Sequence, residues 1–177
     1  MSADYVADAM QRVEVVLRRR PDMGMHDDSP AVARWRGSTR IVTSHASGIE
    51  VQTDMPGELG GTGDQVTPGW LLRAGLAACT ATRIAMGAAA AGIELTTLEL
   101  RATSRSDTRG LLGMTESDGS SVDAGPQDVQ LHVTIAANGV PAEKLRALVE
   151  ESHRCSPVPC AIQNETPVGL QVEVVNG

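Results

Sequence analysis

The stretch from Pro68 to Ala91 constrains the fold more than any other part of the sequence. Thr67-Pro68 is typical of a helix start, with the threonine as N-cap and the proline at the first helical position, and Gly92 marks the end. Small residues occupy nearly every face between them: Ala74, Gly75, Ala77, Ala78, Ala81, Ala85 and Gly87 to Ala91. Because a helix that is small and apolar all round is buried on several sides, the sequence predicts a long central helix with other elements packed closely against it.

The segments around this helix show both helical and strand periodicity. An apolar stripe at three- and four-residue steps predicts a helix from Ala3 to Arg20. Further elements are predicted at Arg40 to Ser44 and Gly48 to Thr53 (a hairpin), Leu95 to Ser104, Val129 to Ala136, Pro141 to Arg154 (a helix) and Val168 to Val175 (a closing strand). This order predicts an α+β fold with helices packed against a sheet. We assign residues 1–30 to an N-terminal helix and linker and residues 31–177 to the main domain.

Charge and hydropathy exclude two classes of partner. The net charge of −7 disfavours nucleic-acid binding, which needs a basic face. The most apolar stretch, from Ala74 to Ile93, is interrupted by Arg83 and is too polar for a bilayer helix. The N-terminus has acidic residues where a secretory signal would have basic ones, and it has no apolar core. We therefore expect a cytoplasmic protein with neither a nucleic-acid nor a membrane partner.

Two motifs that could hold a cofactor or a metal fail on their spacing. The glycine-rich loop from Met55 to Gly69 lacks the lysine pattern of a phosphate-binding loop. His153, Cys155 and Cys160 form H-x-C-x4-C, which lacks both a fourth ligand and the two-residue cysteine spacing of zinc sites. The three cysteines are an odd set without a secretion signal, which argues against a disulfide framework. We expect no cofactor and no metal.

Cys79 lies deep in the central helix and has two interpretations. Such a cysteine is most often a small buried apolar residue. A reactive thiolate would need a cation, because the helix dipole fades within the first turn. Arg83 is on the same helical face, four residues later, and Arg34, Arg36 and Arg40 cluster in the preceding hairpin region. The residues alone leave both interpretations open.

The combined motifs resemble the OsmC/Ohr superfamily. The segment PGELGGTGDQVTPGWLLRAGLAACTAT, from Pro56 to Thr82, has that family's glycine-rich loop, Thr/Asn-Pro helix start and Ala-Ala-Cys in the same order. Ala33-x-Trp35-x-Gly37 resembles its first strand, and Ser156-Pro157-Val158 resembles its second-cysteine segment. The resemblance implies an OsmC-like domain over residues 31–177, in which antiparallel sheets from both chains wrap central long helices in an intertwined homodimer.

The same resemblance implies a thiol-dependent peroxidase. Cys79 would attack an organic hydroperoxide and become a sulfenic acid, which a second cysteine would resolve as a disulfide. Cys155 is the favoured resolving residue, with Cys160 the alternative. The arginine that lowers the thiol pKa would be Arg40, with Arg36 the alternative. The implied partners are an organic hydroperoxide and a dithiol or lipoyl-type reductant.

Two positions depart from the family pattern. Gly69 follows the helix-starting proline where relatives commonly have a glutamate paired with the arginine, and Ser156 stands where many relatives have the resolving cysteine. Prolines break this second segment, so we expect a turn in which either thiol is exposed and mobile, or resolution by an external thiol. The departures also support an alternative function, a small-molecule binding or regulatory protein with little or no peroxidase activity.

Overall fold

The computed structural model describes residues 3–164 and 166–175. Its helices are α1 (Ala3–Arg19), α2 (Pro68–Ala90), α3 (Thr108–Leu111), α4 (Ala142–Arg154) and α5 (Pro157–Gln163). Its strands are β1 (Val32–Trp35), β2 (Ile41–Ser44), β3 (Glu50–Thr53), β4 (Leu95–Arg105) and β5 (Gln127–Ala137). Two antiparallel sheets, β1-β2-β3 and β4-β5, with helices beside them confirm the predicted α+β class. Across the described part of the chain, no helix is long and apolar enough to cross a bilayer.

Helix α2 begins where its sequence predicts. The Trp70 N–H donates to the Thr67 hydroxyl at 3.2 Å, and Pro68 occupies the first turn. The helix packs against α1, α4, α5 and β4, as its small residues predict. Ala88 lies with Ile93 and Leu145 in the buried core, and Ile84 is fully buried. The element that carries Cys79 is therefore the central element of the chain.

The two sheets have different surroundings. In β4-β5, Leu100 is opposite Val133 and Leu98 is opposite Ile135, so the alternation in the sequence gives one face that packs toward the helices. The β1-β2-β3 sheet makes no extensive contact with any helix of the described chain. Its Trp35 remains 71% exposed. One sheet therefore completes the helical core, and the other has an apolar surface with little cover.

Two predictions at the C-terminal end are wrong. Residues 157–163 form helix α5 rather than a mobile turn, because Pro157 sits at the first helical position, where its missing N–H costs nothing. Residues 168–175 form no strand, because they pair with neither sheet of the described chain, and a strand needs a hydrogen-bonded neighbour. The alternating side chains of Val168, Leu170 and Val172 are at least 75% exposed.

The cap at Thr67 gives a test of this fold. We expect Thr67→Ala to lower the free energy of unfolding by about 1 kcal/mol, because the Trp70 N–H loses its acceptor. Thr67→Ser keeps the hydroxyl and is the matched control. Urea denaturation followed by circular dichroism measures both variants, and equal losses for the two would contradict the capping role.

Candidate active site

Cys79 is half-buried on α2, with its sulfur against the start of α5. The Val158 N–H donates to Cys79 Sγ at 3.5 Å. Ser156 is the N-cap residue of α5 but makes no side-chain cap, because its hydroxyl instead donates to the Ser152 carbonyl at 2.7 Å. The sulfur of Cys79 thus takes the position of the missing capping acceptor. The sulfur of Cys79 is therefore a hydrogen-bond acceptor at this contact.

The two later cysteines are exposed and their sulfurs bond within their own segments. Cys155 Sγ donates to Glu151 Oε1 at 3.4 Å, and the Asn164 amide donates to Cys160 Sγ at 3.4 Å. Neither sulfur hydrogen-bonds to Cys79, and no disulfide joins any of the three. Cys155 ends α4 immediately before the N-cap residue of α5, so it is close in sequence to the amide that contacts Cys79.

Of the two candidate arginines, Arg40 and Arg36, Arg40 has the more extensive hydrogen bonding. Its Nη2 donates to Asp54 Oδ2 at 3.2 Å, to Thr62 Oγ1 at 2.7 Å and to Asp64 Oδ1. Arg36 is exposed, and its side chain forms no hydrogen bond or ion pair with any described residue. The two hydrogens of Nη2 are shared among these three oxygens, which together fix the orientation of the Arg40 guanidinium. The hydrogen bond to Asp64, and the charges of both carboxylates, raise its pKa.

Asp54 is the centre of this arrangement and is only 2% exposed. It accepts hydrogen bonds from the Thr39 hydroxyl at 2.6 Å, from the Thr62 amide at 3.0 Å and from the Thr62 hydroxyl at 2.8 Å. These bonds, that of Thr39 first, hold the pKa of Asp54 far below its ordinary value of 3.8. The loop closes so tightly that a Cβ at Gly61 would lie 1.7 Å from the Met55 carbonyl oxygen. We call Thr39, Asp54, Thr62 and Asp64 the carboxylate cage.

The guanidinium of Arg83 makes no hydrogen bond to Cys79 in the described structure. Its Nη1 lies 3.3 Å from the point where a Cβ of Gly87 would be, so the side chain reaches forward along α2, away from Cys79. Residues 79 and 87 are separated by about 12 Å of helix axis. No hydrogen bond joins Cys79 to Arg40 or Arg83 within the described ranges. In the same ranges, no three His, Cys, Asp or Glu side chains come together as metal ligands.

A family model places the chain among known proteins. The model for "OsmC-like protein" matches residues 61–171, more than half of the sequence. The chain belongs to the OsmC family. The match includes Cys79, Cys155 and Cys160, whereas Arg40 and α1 precede it. No functionally curated protein matches the sequence significantly.

Solved structures of OsmC proteins share the fold. An OsmC-like protein from Mycoplasma pneumoniae has a TM-score of 0.65 at 18% identity, covering 80% of this chain and 91% of its own. An organic hydroperoxide resistance protein from Elizabethkingia anophelis has a TM-score of 0.58 at 23% identity, covering 80% and 93%. The organic hydroperoxide resistance protein OsmC from Legionella pneumophila gives 0.53 at 23%, covering 78% and 92%. At these identities the likeness shows the fold.

The carboxylate cage replaces the carboxylate that is missing at Gly69. Gly69 has no carboxylate to offer, and a Cβ there would lie 3.8 Å from the Arg73 guanidinium. Arg40 instead forms ion pairs with the carboxylates of Asp54 and Asp64. Asp54 has no periodic or motif signal in the sequence; only its position at the end of a strand, before a glycine-rich loop, could have directed attention to it. The Val158 amide is a backbone group and has no sequence signal.

The depressed pKa of Asp54 predicts a pH-dependent contribution to stability. Since the folded pKa is below the unfolded value, the carboxylate stabilises the fold fully above about pH 4 and loses this contribution as the pH falls further. We expect Asp54→Asn to lower the melting temperature by several degrees at neutral pH, because the cage loses its charged acceptor.

The difference in melting temperature between Asp54→Asn and the parent should shrink below about pH 4. Asp28→Asn, at a carboxylate whose side chain is 98% exposed, is the control and should change little. Differential scanning fluorimetry across this pH range measures all three proteins. A difference that stays constant down to about pH 2 would contradict the charged role of Asp54.

Proposed function

We propose that the chain is a thiol-dependent peroxidase for organic hydroperoxides, with Cys79 as the nucleophile. The contact that carries this proposal is the Val158 N–H on Cys79 Sγ, since it presents a half-buried sulfur as a hydrogen-bond acceptor. Family membership supports a peroxide-related role, and several of the similar structures are organic hydroperoxide resistance proteins. Three cysteines outside any disulfide fit a reducing compartment, and we propose the cytoplasm.

The proposed reaction has two steps before the enzyme is reduced again: oxidation of Cys79 by the hydroperoxide, and formation of a disulfide. The Cys79 thiolate attacks the outer oxygen of the hydroperoxide, the O–O bond breaks, and the alkoxide leaves and takes up a proton to become an alcohol. Sulfur loses two electrons and becomes a sulfenic acid. A second thiolate then attacks this sulfur and releases water after protonation, which gives a disulfide. A dithiol or lipoyl-type reductant restores both thiols by exchange.

Cys155 is the proposed resolving thiol, with Cys160 the alternative. Its sulfur is exposed, has one weak hydrogen bond to Glu151, and belongs to the junction that leads into the Val158 amide. Cys160 points from the body of α5 to Asn164. A Cys79–Cys155 disulfide needs the two Cα atoms within about 7 Å of each other when it forms.

We also propose that the active unit is a homodimer in which Arg40 of one chain serves Cys79 of the other. The β1-β2-β3 sheet, whose strand β2 begins directly after Arg40, makes no extensive contact with α2. The cage leaves Nε and Nη1 of Arg40 without hydrogen bonds to the described residues, and these donors can face a peroxide oxygen or thiolate. The exposed alternation of Val168, Leu170 and Val172 suits pairing with a sheet edge of a second copy.

Replacement of Cys79 tests the chemistry. We expect Cys79→Ser to abolish reduction of cumene hydroperoxide with dithiothreitol as the reductant, because the nucleophile is lost. Cys160→Ser is the matched control and should retain most of the rate. Peroxide consumption measures activity. Equal rates for Cys79→Ser and the parent would overturn the proposal and favour the alternative, a binding or regulatory protein, for which Gly69 is the supporting departure.

Mixing two inactive variants tests the shared site. We expect co-expressed Arg40→Gln and Cys79→Ser chains to recover about a quarter of the parent activity, because about half the dimers are mixed and each holds one complete site. Each variant alone should remain at background. Light scattering coupled to gel filtration verifies the dimer. No recovery in verified mixed dimers would show that both residues act within one chain.

A further inference from the structure

Exposure alone does not explain the order in which the two sulfurs of the proposed reaction are oxidised. Cys155 is exposed, whereas Cys79 is half-buried. Oxidation of a cysteine by peroxide follows its thiolate character and its exposure. Exposure by itself therefore makes Cys155 the easier target, although the proposed reaction needs peroxide to attack Cys79 first.

The two sulfurs have opposite hydrogen-bond roles. Cys79 Sγ accepts from the Val158 N–H at 3.5 Å. Cys155 Sγ lies 3.4 Å from Glu151 Oε1, and the hydrogen bonds from Arg154 to this carboxylate hold its pKa below the ordinary value of 4.5. Glu151 is therefore ionised at neutral pH, and an ionised carboxylate can only accept a hydrogen bond. The proton of this contact belongs to sulfur, so Cys155 takes part in it as a thiol.

The carboxylate of Glu151 is fixed in its orientation by Arg154 on the same helix, α4. Arg154 Nη2 donates to Oε1 at 2.7 Å and Nε donates to Oε2 at 3.0 Å, which is a two-pronged contact. Cys155 follows Glu151 by four residues and thus lies on the same helical face. The side chain of the neighbouring Glu150 forms no hydrogen bond with any described residue and lines the cavity between α4, α5 and β5. Of these two glutamates, only Glu151 is placed on the sulfur.

The other titratable groups at this end of α4, and on the elements packed against it, make no hydrogen bond to the Cys155 sulfur within the described ranges. They are Glu150 and His153 of α4, Arg73, Cys79 and Arg83 of α2, Cys160 of α5, and Asp128 and His132 of β5. The charge of Arg83 acts on Glu151, whose pKa it helps to lower. The Glu151–Arg154 pair is therefore the charged group that bears most directly on this thiol.

We propose that Glu151 is a positioning residue that holds the proton of Cys155, so that peroxide oxidises Cys79 and spares Cys155 for resolution. This inference rests on the proposed function, in which Cys155 is the resolving thiol. A thiol reacts poorly with peroxide, because the thiolate is the nucleophile. Resolution tolerates this restraint, because a sulfur of the same protein attacks at a high effective concentration. In that step the S–S bond forms, the S–O bond of the sulfenic acid breaks, and the thiol proton accompanies the departing hydroxide as water.

Alkylation of Cys155 tests the contact without any peroxide. In a Cys79→Ser, Cys160→Ser background Cys155 is the one remaining thiol, and its rate of reaction with iodoacetamide is measured from pH 6 to 10. We expect Glu151→Gln to raise the rate at pH 7 about threefold or more, and to move the pH profile to lower pH, because a negative charge beside the sulfur is lost. Glu150→Gln removes the same charge one residue earlier and should change the rate by less than about 1.5-fold.

The variant Arg154→Gln separates the effect of charge from loosening of the helix end. It breaks the same ion pair but keeps the carboxylate beside Cys155, so we expect slower alkylation and a profile moved to higher pH. A frayed helix would instead speed alkylation in both variants. An unchanged or slower rate in Glu151→Gln, or faster rates in both variants, would overturn the proposal.

Trapping of sulfenic acid with dimedone tests the consequence for selectivity. Cumene hydroperoxide should oxidise a chain that keeps only Cys79 faster than one that keeps only Cys155, and Glu151→Gln should speed oxidation of the latter about threefold. Oxidation of Cys155 that does not respond to Glu151→Gln would also overturn the proposal. Failure of the proposed function looks different: the chain that keeps only Cys79 then forms no dimedone adduct, whatever the alkylation rates of Cys155.

Discussion

The close approach of α2 to α4 is the constraint on which the site depends. A Cβ at Gly87 would lie 2.8 Å from Leu148 Cδ1, so the helices are closer than an alanine would permit without a shift of Leu148. Ala88 of α2 and Leu145 of α4 lie in the buried core beside this contact. Since α5 follows α4 after one non-helical pair of residues, the same packing presents the Val158 amide to Cys79. Small residues on α2 thus determine the surroundings of a sulfur two turns away.

The charged half of the candidate site is built on different principles. It does not depend on helix packing, because its sheet makes little contact with the helices. Short-range hydrogen bonds to a buried carboxylate, Asp54, hold Arg40 instead. Cys79 and Arg40 are therefore held in place by separate sets of contacts within the chain. Such independence is suited to a site assembled from two copies, since each part is preorganised before they meet.

The sequence predicted the elements whose signals are local. Thr67-Pro68 defined the start of α2, and alternation defined β4 and β5, because caps and strand faces are properties of neighbouring residues. It failed at residues 168–175, where alternation is necessary for a strand but a pairing edge is also required. It failed at Pro157 because the same residue that breaks one helix is well suited to begin the next.

The sequence pointed to some residues of the candidate site but not to their contacts. Cys79 and Arg40 followed from motif resemblance, whereas the cage around Asp54 joins positions separated by up to fifteen residues through an irregular loop. Contacts of this kind leave no period in a sequence.

Arg83 shows why charge counting could not substitute for the structure. The chain has 22 acidic and 15 basic side chains, Lys and Arg together, so acceptors for an arginine are abundant. Arg40 has two carboxylates within reach. Among the described residues no carboxylate is bonded to Arg83: its Nη1 lies 3.3 Å from the position of a Gly87 Cβ, and Glu151, whose pKa its charge helps to lower, is bonded to Arg154. Position, rather than the supply of acidic residues, leaves this cation without a partner.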